Sequence, residues 1–282
     1  MKYALVTPSF APDFERCRLL ARSVERFVAP GVEHHLIVDR RDEALFRSLE
    51  GPRTIVRTVE SMMPWWLRRM PGARRWWLSL GTLPVRNWIL QQAVKLSVGT
   101  AIDADAYVFV DSDVTFVRPF DAATLEDGGR TRLFRVPGAA NLPGHRRWHR
   151  TAAKLLGLPP TDYFGSTYIG NLVTWRRDHL LELHARIAKI AGTGWLRAVC
   201  NQWHLSEYIL YGVFAEHVLK ERSHHWHSDL PLCHISWDYE LASDADLTGF
   251  MREIAPHHVA VMVSAKQRIE PQRYERLLEA VA

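Results

Sequence analysis

Short apolar runs alternate with stretches of helical period through the first half of the chain. Leu5-Val6-Thr7 predicts a strand, His35-Leu36-Ile37-Val38 a second ending at Asp39, and Thr54-Ile55-Val56 a third. Between them, Asp13 to Val28 reads as a helix. Phe14, Leu20, Ala21, Val24 and Phe27 fall near helical spacing there, with Asp13 as N-cap. Asp42 to Leu49 reads as another helix. This β-α-β-α-β rhythm predicts an α/β fold with a mostly parallel sheet covered by helices.

Arg86 to Val98 continues the rhythm as a helix. Ile89, Ala93 and Leu96 share one side of it, Gln91 and Lys95 another. Tyr107-Val108-Phe109-Val110 is uniformly apolar, as a strand buried on both faces must be, and it runs into Asp111-Ser112-Asp113. The second half is less regular. Strands are expected at Arg132 to Val136, Ile169 to Trp175 and Val259 to Val263. Helices are expected at Asp178 to Ala191, Ser206 to Leu219 and Gln272 to Ala280. No internal repeat or low-complexity linker interrupts the chain, so one domain over 1–282 is the expectation. Within it, residues 61–83 read as an insert in which Trp65, Trp66, Trp76 and Trp77 alternate with Arg68, Arg69, Arg74 and Arg75, punctuated by Pro64, Pro71 and Gly72.

Composition narrows the class. The 282 residues allow a substantial core. The three cysteines, Cys17, Cys200 and Cys233, are too few and too scattered for a disulfide framework or a zinc finger, which fits a reducing compartment. Tyr3-Ala4-Leu5-Val6-Thr7 is too short for a signal sequence, and no apolar run approaches the ~20 residues of a membrane span. A cytoplasmic protein is expected, and the insert reads as peripheral contact at the inner membrane face through Trp65, Trp66, Trp76 and Trp77, as a grip on an anionic glycan or lipid-linked acceptor, or as a lid whose tryptophans pack on the domain. A net charge of +5 suits handling of phosphates or anionic surfaces without specifying either.

The chemistry concentrates at Asp111 and Asp113. Two carboxylates at i and i+2 of an extended segment project to one side, and in an open α/β sheet ligands bind beyond the carboxyl ends of the strands. Two hard oxygen donors hold Mg²⁺ or Mn²⁺ weakly until diphosphate oxygens complete the shell. A second pair, Asp103 and Asp105, precedes its strand and reads as a solvated turn.

On these residues the chain resembles GT-A-type glycosyltransferases: the first strand ending in Thr7-Pro8-Ser9-Phe10, the segment Gln91-Gln92-Ala93-Val94-Lys95-Leu96, and Val108 to Asp113 followed by Arg118-Pro119. The resemblance covers roughly the first 120 residues well and the remainder loosely, and is nearest to bacterial GT-A-like proteins of uncharacterised substrate. It implies a Rossmann-like sheet with a mixed acceptor-side half, and transfer of a sugar from a nucleotide sugar, UDP by default, to a hydroxyl of a glycan or lipid-linked acceptor. It implies that Thr7, Pro8, Ser9 and Phe10 contact the nucleoside, with Asp39 near base or ribose, and that Ser112, between the two acids, belongs to the donor-binding set. Asp113 would bind Mn²⁺ or Mg²⁺ directly, and Asp111 the metal or the ribose. A histidine near the C-terminus would add a ligand; His234 is the first choice, with His257 and His258 as rivals. Gln91 and Lys95 would face phosphate or sugar hydroxyls, and Glu207, with Ser206 as helix cap, would act as general base. Gly165 to Asn171 would line the sugar pocket, and His224-His225-Trp226-His227 reads as a surface cluster. Two rivals stand: a nucleotidyltransferase, for which a glycine-rich loop after the first strand is expected where Thr7 to Pro12 has no glycine, and a non-catalytic module binding membrane or anions. Nucleic acid is not among the expected partners.

Overall fold

A computed structural model describes residues 1–70, 76–138 and 143–281. Pro71, Gly72, Arg74 and Arg75 of the insert lie outside the described residues. In chain order the main elements are β1 (Tyr3–Pro8), α1 (Phe14–Phe27), β2 (Glu33–Val38), β3 (Thr54–Thr58), β4 (Leu67–Arg69), β5 (Trp76–Ser79), β6 (Val85–Arg86), α2 (Asn87–Ala101), β7 (Ala106–Phe109) and β8 (Val114–Phe116). There follow β9 (Arg130–Phe134), α3 (Pro143–Leu156), β10 (Val173–Arg176), α4 (Arg177–Ala191), α5 (Glu207–Val213), β11 (His225–Ser228), β12 (Cys233–Ile235), α6 (Asp244–Arg252), β13 (Ala260–Met262) and α7 (Pro271–Val281).

The protein is α/β. Its largest sheet has five strands in the order β10-β7-β1-β2-β3 and is mostly parallel. β1 pairs β2 in parallel, Val6 opposite His35, and β2 pairs β3 with Leu36 opposite Val56. The chain divides into two compact units, each discontinuous in sequence: residues 1–2, 59–107 and 126–229 form one, and residues 3–58, 108–125 and 230–282 the other.

In the second of these, Ala4, Leu5 and Val6 of β1 and Leu36 and Val38 of β2 are sealed from water. Cys17 and Phe46 pack with Leu36 and Val38 into one cluster. Burying one such side chain contributes about 2 kcal/mol. A second cluster joins Leu247, Phe250 and Met251 of α6 to Val261 and to Tyr274 and Leu278 of α7. β8 runs antiparallel to β13, Thr115 opposite Val261, and β13 parallel to β12.

In the other unit α2 is buried almost all round, from Ile89 to Gly99. Trp77, Trp175, Tyr107, Tyr168 and Tyr211 are the largest fully buried side chains among the described residues of that unit. Gly212 of α5 lies so close to the Tyr168 ring that a Cβ there would meet it at 2.1 Å.

Several expected boundaries shift for local reasons. The segment Asp42 to Leu49 is not one helix but two 3₁₀ turns around the single α turn Glu43–Phe46. The helix expected through Leu219 changes at Phe214 into π geometry. The strand expected from Ile169 starts only at Val173. Among the described residues of the insert, β4 and β5 pair antiparallel, and β5 pairs on with β6 just beyond it to make a meander. Trp77 sits wholly inside it, out of reach of any headgroup, which removes that tryptophan from the expected membrane set.

Candidate functional site

The strand β7 delivers Asp111 to its carboxyl end, with Val110 N–H donating to the Val6 carbonyl at 3.1 Å. The two acids do not then continue in extended backbone, as their spacing suggested. Val114 N–H donates to the Asp111 carbonyl at 3.1 Å, closing a turn over Asp111-Ser112-Asp113 before β8. Ser112 is buried, and its hydroxyl donates to Asp13 Oδ2 at 3.3 Å. Asp113 Oδ2 accepts the Ala265 N–H at 2.8 Å, from the loop that follows β13.

Asp13 is the residue the sequence reasoning missed. It stands at the N-cap position of α1, but its side chain makes no capping bond. Instead it meets Ser112 and lies 3.7 Å from Arg16. Three carboxylates are therefore close enough to act on one another. Burial pushes the Asp13 carboxyl up, Arg16 and the Ser112 bond oppose this, and the Asp111 charge adds to it. Asp113 is pushed up to about 7, first by burial and then by Asp111, with the Ala265 amide pulling down and Asp13 pushing up again. Burial raises the Cys233 thiol well above its usual range, and the charges of Asp113 and Asp111 raise it further. Crowded, desolvated carboxylates of this kind are relieved by a cation. Their hard oxygens match Mg²⁺ or Mn²⁺. Among the described residues no three or more His, Cys, Asp or Glu side chains form a group able to hold a metal unaided. An ion here would take the rest of its shell from a ligand or water.

His234 does not join these acids in a ligand group. Its Nε2 lies 3.1 Å from the Phe250 carbonyl and its ring stacks on Phe250 with centroids 4.3 Å apart. The imidazole is spent on the core. His258 Nδ1 accepts the Ala255 N–H at 3.0 Å, with His257 against it. Arg118, of the Arg-Pro pair, donates to the carbonyls of Ala255 and His258 and so fixes that loop.

Of the expected nucleoside contacts, Thr7 and Pro8 belong to β1 and not to a loop. Thr7 is fully buried, with its hydroxyl 3.0 Å from His34 Nε2, so its side chain faces the sheet interior. Ser9 and Phe10 do form the exit from the strand: Ser9 N–H donates to the Ile37 carbonyl at 2.9 Å, and Phe10 is exposed. Asp39 closes β2 and pairs with Arg41 at 3.3 Å. The neighbouring Asp42 accepts the Ala11 N–H at 3.0 Å and so holds that loop against the end of β2.

In the other unit the structure brings Lys95 and Glu207 together. Lys95 Nζ lies 3.1 Å from Glu207 Oε1 and donates to the Tyr208 hydroxyl at 2.9 Å. Gln92 Oε1 accepts the Glu207 N–H at 3.0 Å, and Ser206 caps α5. Gln91 is exposed and takes no part in this set; one residue further round the helix, Gln92 does. Gln92 and Lys95 share a face at i and i+3, the signal that would have selected Gln92. The Asp103 and Asp105 pair is a surface turn, as expected. Asp103 is 85% exposed and pairs with Lys2 and Arg177, and Asp105 accepts the Lys2 N–H. In Gly165 to Asn171, Tyr168 is buried and bonded to Glu216, so its ring fills the interior. His225 is half-buried, its ring bonded to the Thr131 carbonyl and the Tyr211 hydroxyl, while His224 and His227 are exposed.

A protein-family model described as a family of unknown function (DUF6492) matches residues 5–277. No curated protein matches the chain.

Proposed function

Because this chain belongs to the DUF6492 family, whose function is unknown, we propose its activity from the site itself: metal-dependent glycosyl transfer from a nucleotide sugar, on a GT-A-type fold. The observation that carries the reading is Asp113, a carboxylate pushed up to about 7 beside Asp111 and Asp13 at the carboxyl end of a central strand. That is the place where α/β sheets bind ligands, and a dication there would offset the repulsion among the clustered acids.

In this reading Asp113 and Asp111 hold Mn²⁺ or Mg²⁺, and Asp13 positions Ser112 and adds negative field. When bound, the ion acts as a Lewis acid that neutralises charge on the departing nucleoside diphosphate. Phe10 and Asp39 contact the nucleoside, Phe10 through its exposed ring. Uridine is the default base, and the acceptor is a glycan or lipid-linked hydroxyl. Glu207, ion-paired with Lys95 inside the other unit, is given no part in this site.

Thermal unfolding with UDP, GDP or CMP, each with and without Mn²⁺, tests the reading. A rise in Tm that needs both nucleotide and metal, and that disappears in Asp113→Ala, is expected. No rise with any nucleotide in the presence of Mn²⁺ would remove the nucleotide-sugar reading.

A further inference from the structure

Residues 61–102 contain no aspartate or glutamate, yet they carry Arg68, Arg69, Arg74, Arg75, Arg86 and Lys95. Residues 128–161 are equally free of acids. A solvated surface normally intersperses both signs, so two long acid-free stretches in one unit call for a reason.

The register of the meander shows what is presented. Leu67, Trp77 and Val85 are buried, and because side chains alternate, their neighbours along each strand face outward. Arg68 lies opposite Leu78, and Trp76 opposite Arg86, so these four share the outer face. Trp203 extends it: its ring lies 6.4 Å from Trp76, and the Arg86 guanidinium sits 4.1 Å over it. Around this face Trp65 is 69% exposed, Leu80 61%, Leu83 70% and Trp203 56%. Trp66, by contrast, lies under the Arg197 guanidinium.

Exposed tryptophan and leucine set among arginines, on strands drawn from a stretch of chain without aspartate or glutamate, is the chemistry of a bilayer interface. The rings suit the headgroup boundary, the leucines enter the acyl region, and the guanidinium groups meet anionic lipid. We propose that the outer face of the β4–β6 meander, with Trp65 and Trp203, docks on an anionic lipid bilayer. Charge complementarity selects this occupant: the face offers cations and apolar tips together, and a bilayer supplies both counterparts in one plane. Among the described residues no helix is long and apolar enough to cross a membrane, so the contact is interfacial. The proposal stands apart from the nucleotide-sugar reading and survives its failure.

Co-sedimentation of the full chain with vesicles tests it. Phosphatidylcholine vesicles mixed with phosphatidylglycerol should carry the protein down, and pure phosphatidylcholine vesicles should not. Arg68→Gln should weaken partitioning about fivefold, the loss expected for one cation near an anionic surface. The triple variant Trp65→Ser/Leu78→Ser/Leu80→Ser, which keeps every charge, should weaken it at least about tenfold. All these side chains are largely outside the core, and an unchanged Tm in each variant shows that folding is intact. Equal binding to both vesicle types would overturn the proposal. Full binding by the triple variant that a soluble polyanion such as heparin competes away would also overturn it, and would assign the arginines to that class of ligand.

Discussion

Lys95 Nζ lies 3.1 Å from Glu207 Oε1, with the two side chains only 10% and 3% exposed. Taking two charges out of water is costly, and the pair holds because each charge has the other, with the Tyr208 hydroxyl accepting from Lys95 as well. Removing one partner leaves a buried uncompensated charge. Lys95→Met or Glu207→Gln alone is expected to cost roughly 3–5 kcal/mol, and the double variant clearly less than the sum. Urea unfolding of the four proteins checks this; additive losses would show that the pair is not coupled.

Asp113 offers a pH-dependent test. Its folded-state value is raised from 3.8 to about 7, so the folded protein holds a proton there that the unfolded chain has released. Stability from this group is present at low pH and lost as pH rises toward 7. At ~1.4 kcal/mol per unit, the loss reaches about 4 kcal/mol as an upper bound. Asp113→Asn keeps an acceptor for the Ala265 amide. It should therefore raise Tm in metal-free buffer at about pH 8, and the gain should vanish toward about pH 4. A lower Tm at about pH 8 would contradict the crowding of the acids.

Proton and metal would compete at the same carboxylate. The Mn²⁺-dependent rise in Tm with nucleotide should be larger at about pH 8 than at about pH 6. Asp13→Asn relieves part of the repulsion on Asp113 and should flatten that difference. A rise that does not change with pH in either protein would place the ion elsewhere.

Buried histidines set the opposite slope. Burial depresses His34 to about 3, and His149, His179 and His184 to about 4. Each is neutral when folded and binds a proton when unfolded below its ordinary value of 6.5. Stability from these four is intact above 6.5 and lost as pH falls toward 4, at up to about 5 kcal/mol per pH unit together. Four such groups together outweigh the opposing contributions of Asp113 and Asp13, whose carboxyls burial raises. Far-UV circular dichroism should show cooperative acid unfolding between about pH 6 and pH 4. A native spectrum at about pH 3.5 would sink this reading.

Gly212 has no room for a methyl group. Its added Cβ would sit 2.1 Å from Cγ of Tyr168, inside a packed interior. Overpacking costs ~3 kcal/mol here, and the better helix propensity of alanine returns about 1. Gly212→Ala should thus lose about 2 kcal/mol net and several degrees of Tm. In a Tyr168→Leu background the same change should cost less; an equal cost would assign the effect to the backbone.

How far the sequence reaches depends on how local the cause is. β1, β2 and β3 were legible because Leu5-Val6, Leu36-Ile37 and Ile55-Val56 are apolar runs on alternating strand and helix segments. Asp111 and Asp113 were legible because four apolar residues deliver them to a strand end. Asp13 was read as a cap from its position alone, and no local pattern announces that its side chain turns to Ser112. The pairing of Lys95 with Glu207 and the outward row of Arg68, Leu78, Trp76 and Arg86 are likewise products of tertiary register, which periodicity does not encode. The capping box of Ser243 and Asp246 at the start of α6, by contrast, is a signature written in the local sequence.

The bond from Ala265 N–H to Asp113 Oδ2 joins two points far apart in the chain. During synthesis Asp113 emerges long before its partner does. The growing polypeptide therefore holds the acidic turn by its local bonds alone until Ala265 has been made, and only then can the loop after β13 close on it.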